Sequence, residues 1–179
     1  MKVRVDDLPE HGRVIHFHET EAWFSSRMSS AEGAQEITLV RPVHVNLELI
    51  PEREQLKLSG NLQTTARLAC SRCLQDFVLG LDETIGVVLL RSLPEDAPEE
   101  IDLRPQDLDT EFYDGVTIDV DLIVAEQIFL ALPQKPLCQP ECRGLCSGCG
   151  ADLNHESCRC EKRRTASAFE ALQSLRIGQ

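Results

Sequence analysis

The chain has 179 residues, 42% of them hydrophobic and only 4% aromatic, with 30 acidic against 18 basic side chains and a formal charge of −12. That length and apolar content support one domain with an aliphatic core plus a small appendage, and the acidity excludes long-range attraction to phosphate as the basis of any nucleic-acid binding. The longest uncharged apolar run, IGVVLL at 85–90, is far shorter than the ~20 residues a membrane-spanning helix requires.

The opening MKVRVDDLPEHGRV has no apolar stretch and carries Asp6, Asp7 and Glu10. It reads as neither a secretory leader nor a transit peptide, so a soluble, cytoplasmic protein is expected. RVIHFH at 13–18 is a candidate short strand. In ETEAWFSSRMSS, 19–30, Trp23, Phe24 and Met28 fall at helical spacing, and Glu32-Gly33-Ala34 reads as a break.

Residues 37–91 are the clearest β region. Val43, Val45, Leu47 and Leu49 alternate with His44, Asn46 and Glu48, the period of a half-buried strand. PEREQ follows as a turn. Alternation resumes through Leu56 and Leu58, with Gly60-Asn61 as a candidate bulge or bend, and again in LQDFVLGLDETIGVVLL. Three alternating segments with short links predict an antiparallel meander or a barrel-like sheet.

Residues 92–114 differ in kind. Pro94, Pro98 and Pro105 and a run of acids predict an exposed acidic loop. The stretch 92–126 holds 12 acids and one base, Arg104. After it, 116–132 changes to a helical period: Asp119 or Asp121 can cap a helix with Leu122, Ile123, Ala125, Ile128, Phe129 and Leu132 apolar, and Pro133 ends it. A second amphipathic helix is predicted at 165–176, with Phe169, Leu172 and Leu175 on one side. The fold class expected is therefore α+β. Residues 1–132 form a β-rich domain with a packed helix, and 133–179 form a cysteine-rich element with a terminal helix.

The segment CRGLCSGCGADLNHESCRC, 142–160, has five of the eight cysteines and almost no bulky apolar side chains, so a core cannot hold it. Cys146-Ser-Gly-Cys149-Gly resembles a zinc knuckle, in which glycine lets backbone amides face sulfur. Cys158 and Cys160, two apart, point to one side of an extended segment and can reach the same ion. Four thiolates make a closed structural zinc site. Other ligand sets compete: His155 for one thiolate, or Cys142 for Cys158 or Cys160. Pro136, Pro140 and Gly144 exclude a helix around Cys138 and Cys142. Together with Cys70 and Cys73, at a hairpin end, these two give a second four-thiolate site that ties the tail to the sheet. A thioredoxin-like role for Cys70-Ser-Arg-Cys73 needs a helix N-terminus at the first cysteine, and a strand-like run follows instead. Buried thiols with no ligand are the plainest alternative.

No catalytic set emerges. His11, His16, His18, His44 and His155 read as surface or edge residues, and no phosphate loop or zinc-protease motif is present. Lys135, Arg143, Arg159, Lys162, Arg163 and Arg164 surround the tail cysteines, which makes a local basic surface possible on an acidic chain.

The order CSRC at 70–73, IDVDLIVAEQIFLALPQKPLC at 118–138, then C-x-G-L-C-x-x-C-G-x-x-L-N at 142–154 and C-x-C resembles the YceD family, the large ribosomal RNA subunit accumulation proteins. The resemblance covers roughly 40–179. It implies a bacterial or plastid ribosome-biogenesis factor needed for accumulation of large-subunit (23S) ribosomal RNA, with no enzymatic activity and no small-molecule substrate. The partner it implies is that RNA or a large-subunit ribosomal protein. The last helix departs from the family pattern, starting RTASAFEAL, and some relatives lack most C-terminal cysteines, which points to a structural role for the tail site. Partner contact is expected at Arg67, Arg72, Arg159, Lys162, Arg163 and Arg164. Two other readings remain: an adaptor whose acidic 92–126 stretch binds a basic ribosomal protein, and a thiol oxidoreductase.

Overall fold

A computed structural model describes residues 1–29, 37–53, 55–92 and 110–160. Its framework is the expected meander. Strands β3 (Thr38–Glu52), β4 (Gln55–Ala69) and β5 (Asp76–Arg91) pair antiparallel in sequence order. Strand β2 (Arg13–Glu19) adds to the free side of β3, again antiparallel. Before it, β1 (Lys2–Arg4) runs into a single 3-10 turn at Val5–Asp7.

The alternation read from sequence sets which face is buried. Val43, Val45, Leu47 and Leu49 lie inside with Leu56, Leu58 and Leu62 of β4 and Ile85, Val87 and Leu89 of β5. Burying side chains of this size stabilises by about 1.5–3 kcal/mol each. His44, Asn46 and Glu48 point outward. Helices α1 (Glu21–Arg27) and α2 (Val120–Ala131) cover the apolar face, α1 against β3 and α2 against β5. The 116–132 region thus gives its helix, capped by Asp119, whose Oδ1 accepts from the Leu122 amide at 3.4 Å. Leu122, however, is 41% exposed, and Val120, Ile123, Val124, Ala125 and Ile128 make the buried side.

Four features depart from expectation. The sheet is mixed: β6 (Thr110–Tyr113) runs parallel to β5 at the far edge, giving the order β2-β3-β4-β5-β6. Strand β6 lies inside the stretch read as an acidic loop. Parallel pairing needs a long crossover, and 92–109 supplies that length; residues 93–109 lie outside the described ones. Strand β7 (Thr117–Asp119) pairs antiparallel with β1 in a separate ribbon. Both strands of that ribbon are three residues long, too short for a readable period. The two edges, β2 and β6, do not pair with each other, so the described sheet is open and not a barrel. Finally, the pairing runs unshifted through Gly60 and Asn61, and the register shifts fall between Leu39 and His44. Pro42, within that stretch, has no N–H to give a ladder. The predicted helix at 165–176 and the break at 32–34 lie outside the described residues.

Candidate metal centres

The β4–β5 hairpin ends in a turn made of Cys70, Ser71, Arg72, Cys73, Leu74 and Gln75. The Cys70 amide donates to the Gln75 carbonyl at 2.9 Å, and the Leu74 amide donates to the Cys70 carbonyl at 2.9 Å. The same turn recurs in the tail. The Cys146 amide donates to the Ala151 carbonyl at 2.8 Å, and the Gly150 amide donates to the Cys146 carbonyl at 2.8 Å. Two Cys-x-x-Cys knuckles therefore share one backbone. The residue after the second cysteine has a left-handed φ in both, +59° at Leu74 and +74° at Gly150. Glycine adopts that φ freely and leucine does so at a cost of roughly 1 kcal/mol. This is why the sequence advertises the second knuckle and hides the first.

Each knuckle is completed by two cysteines from elsewhere. The segment after α2 brings Cys138 and Cys142 to the hairpin turn, where Cys70 Sγ is 3.7 Å from Cys142 Sγ and Cys73 Sγ is 3.7 Å from Cys138 Sγ. In the tail, Cys158 Sγ lies 3.3 Å from Cys146 Sγ and 3.5 Å from Cys149 Sγ, with Cys160 beside them. Within each tetrad all four sulfurs lie within 4.8 Å of one another. A tetrahedral zinc with Zn–S of about 2.3 Å separates its sulfurs by ~3.8 Å. The donor set and spacing fit such an ion in both places. Four thiolates fill a tetrahedron and leave no open position for substrate, so zinc here would supply cross-linking and not chemistry.

The two tetrads differ in depth. In the inner one, Cys70 is 0% exposed and Cys73 and Cys142 are 2% exposed, with Phe77, Leu137 and Leu145 packed around them. Its two halves are also joined directly. The Ser71 amide donates to the Pro136 carbonyl at 2.8 Å, the Leu145 amide to the Arg72 carbonyl at 3.1 Å, and Arg72 Nη1 to the Cys142 carbonyl at 2.8 Å. Asn154 adds a further brace: its Oδ1 accepts from the Arg143 amide at 2.8 Å and its Nδ2 donates to Cys142 Sγ at 3.4 Å. The outer tetrad has exposed members, Cys149 and Cys160.

Electrostatics reach the same place. Burial opposes ionisation of Cys70, yet the amides of Cys138, Cys73 and Arg72 bring it down to about 6. The amides of Gly148 and Cys149 bring Cys146 down to about 6. The last thiol in each tetrad resists: burial and its thiol neighbours push Cys138 up to about 12, and hydrogen bonding with Cys158 and Cys149 pushes Cys160 up to about 12. Four negative sulfurs cannot coexist at this spacing without a cation between them.

The other residues singled out in the sequence are dispersed. His155 is exposed, 4.0 Å from Asp152, and belongs to neither tetrad. Arg67 is exposed on the open face of β4, paired in register with Thr38 and Val78. Arg72 is an exposed residue whose guanidinium is engaged by Cys142, and Arg159 is exposed between Cys158 and Cys160. Lys162, Arg163 and Arg164 lie outside the described residues. Sequence reasoning missed Leu74, and it read Asn154 only as part of a tight return between the cysteine pairs, not as a brace on Arg143 and Cys142. Leu74 is 67% exposed at the hairpin tip, and only its position after a Cys-x-x-Cys pair could have marked it.

Residues 58–176 match the family described as Large ribosomal RNA subunit accumulation protein YceD. The chain belongs to the YceD family. Among curated YceD relatives, "Large ribosomal RNA subunit accumulation protein YCED homolog 1, chloroplastic" of Arabidopsis thaliana is 24% identical over 157 residues, covering 75% of this chain and 49% of that protein. Its Zea mays counterpart is 27% identical over 154 residues, covering 73% and 52%. An uncharacterised protein of Mycobacterium bovis is 29% identical over 126 residues, covering 69% and 58%. The chain thus spans about half the length of the plant relatives. No solved structure matches. The family match covers both cysteine tetrads and both knuckles.

Proposed function

We propose that this chain is a non-enzymatic factor of large-subunit ribosome biogenesis that supports accumulation of 23S ribosomal RNA. In this reading it binds that RNA or a large-subunit ribosomal protein, and zinc in each tetrad fixes the binding surface. The observation that supports the reading is the pair of tetrads within the family match: eight thiols at metal-ligand spacing, which with an ion in each would have no open coordination position and would brace the end of the molecule that holds Arg72 and Arg159. Arg67 and the 162–164 bases would extend that surface. A cytoplasmic site of action belongs to the same reading for a bacterial chain; the named plant relatives are chloroplastic. Among the described residues no helix is long and apolar enough to cross a membrane.

A deletion strain analysed by sucrose gradients and precursor-RNA blots tests it. The expected result is fewer large subunits and persistent 23S precursor. Normal profiles of both would overturn the proposal.

A second reading rests on charge. The 92–126 stretch carries a net −11 from 12 acids and one base, which suits an adaptor for a basic ribosomal protein. RNA binding that survives only at low salt, beside tight binding to such a protein, would favour the adaptor. A thiol oxidoreductase fits less well: Cys70 lies in a hairpin turn, not at a helix N-terminus, and has no exposed surface.

A further inference from the structure

The two tetrads share a knuckle and a ligand set, but they differ in access and in what else holds them. We propose that the outer tetrad, Cys146, Cys149, Cys158 and Cys160, is a site of thiol oxidation by hydroperoxides, and that the inner tetrad is spared. The release of an ion in this scheme rests on the zinc reading above.

Access comes first. A peroxide must reach sulfur to react. Cys149 and Cys160 are exposed, whereas Cys70, Cys73 and Cys142 are buried against Phe77, Leu137 and Leu145, which leaves the partly exposed Cys138 with no accessible thiol of its own tetrad to pair with. Geometry comes second. A disulfide needs sulfurs ~2.05 Å apart, so the 3.5 Å between Cys149 and Cys158 must shorten by about 1.5 Å. The outer site can supply that movement. Beyond Glu156, whose amide donates to the Asp152 carbonyl at 2.8 Å, the hydrogen bonds of the described residues all run among the thiols and their own amides. The inner site cannot move so easily. The Ser71, Arg72 and Leu145 bonds hold its two halves together at a fixed spacing, so movement of one half toward the other works against them.

The chemistry balances. The Cys149 thiolate attacks the O–O bond of hydrogen peroxide, becomes a sulfenic acid and releases hydroxide. Cys158 thiolate displaces the second hydroxide and forms the disulfide. A second peroxide joins Cys146 and Cys160 in the same way. Two peroxides accept four electrons from four thiolates, four protons from solvent complete four waters, and one divalent ion leaves. The consequence is positional: Arg159 lies between the ligands Cys158 and Cys160, so oxidation of this pair alters the backbone that carries it.

The test uses the full chain purified under reducing conditions. Metal per chain is measured first, then hydrogen peroxide is added, and released metal is followed with a chromogenic chelator while disulfides are mapped by differential alkylation and mass spectrometry. One of two ions is expected to leave at least about tenfold faster than the other, with disulfides confined to Cys146, Cys149, Cys158 and Cys160. Loss of both ions at one rate, no loss at all, or disulfides within the inner tetrad would overturn the proposal. If the protein carries no metal, the zinc reading fails at the first step, and the disulfide map still decides where oxidation occurs. The Cys149→Ser variant gives an independent check: it should hold one ion, and peroxide should no longer release any quickly.

Discussion

Arg72 Nη1 donates to the main-chain carbonyl of Cys142 at 2.8 Å, while the Arg72 carbonyl accepts from the Leu145 amide at 3.1 Å. One residue of the hairpin turn therefore holds the tail at two points, beside the ligands both segments contribute. Arg72→Ala removes the charged hydrogen bond to a buried segment and should cost about 1–2 kcal/mol. Arg72→Lys should recover only part, because an ammonium does not reproduce the guanidinium's fixed geometry. Denaturant midpoints of the three proteins would check this. An unchanged midpoint in Arg72→Ala would return Arg72 to the role of a free partner contact.

Metal affinity should depend steeply on pH. Without a cation, Cys138 and Cys160 hold their protons up to about 12, and Cys73 and Cys158 are also raised above the ordinary thiol value. At neutral pH at least two thiols per tetrad are thus protonated and must release their protons when an ion binds. Lower pH opposes binding and higher pH favours it. Affinity is expected to change by at least about a hundredfold per pH unit around pH 7. Competition with a chelator at three pH values would measure it, and a flat response would exclude thiolate ligation.

Each tetrad should also carry a different share of stability. Cys73→Ser breaks the inner site, unties the tail from the β4–β5 hairpin and leaves a polar group at a position that is 2% exposed. It should cost about 3 kcal/mol or more and remove one metal ion. Cys160→Ser, at an exposed position, should remove one ion as well but leave the sheet's thermal transition nearly unmoved. Elemental analysis beside thermal melts would separate the two. Equal destabilisation would mean that the outer tetrad also supports the sheet.

The legible parts of this fold are those where a period repeats. The strands β3, β4 and β5 run fifteen or sixteen residues with clear alternation, and helix α2 has a capping Asp119. The division of the cysteines into two groups of four is also the one the sequence suggested, because proline excluded a helix around Cys138 and Cys142. What escaped was set by tertiary pairing. Strand β6 sits in a stretch whose acids and prolines argue for a loop, and it forms along the otherwise free edge of β5. Strands β1 and β7 make sense only as partners of each other. Leu74 escaped because leucine gives no local sign of a left-handed backbone.

Gly60 carries a steric prediction. It faces Leu47 in register, and a Cβ placed on it would lie 2.1 Å from the Asn46 carbonyl oxygen and 2.8 Å from Leu47 Cα. Both contacts are backbone, so neither can rotate away. Gly60→Ala should force the centre of the β3–β4 pair apart and cost about 3 kcal/mol or more, whereas Gly86→Ala, on β5 with nothing within 4 Å of the added atom, should be nearly neutral. Urea unfolding of both variants would check the contrast.

Asp121 links the helices at low exposure. Its Oδ2 accepts from Arg27 Nη2 at 2.9 Å and also meets the N-terminal ammonium. Burial alone would raise its pKa, but the ammonium and Arg27 more than offset this and hold the carboxyl below its ordinary value. A folded-state pKa below the unfolded one adds stability that is fully present above the ordinary carboxylate range and is lost as pH falls through the lowered value. Asp121→Asn should therefore lose about 2 kcal/mol at neutral pH. The gap to the wild type should begin to close as the pH falls below about 3.8, where the unfolded carboxyl protonates, and should vanish only below the lowered native value, where the native carboxyl is neutral too. Midpoints measured at pH 7 and near pH 2 would show that convergence, and a gap that persists in acid would assign the loss to packing of α1 against α2 instead of to charge.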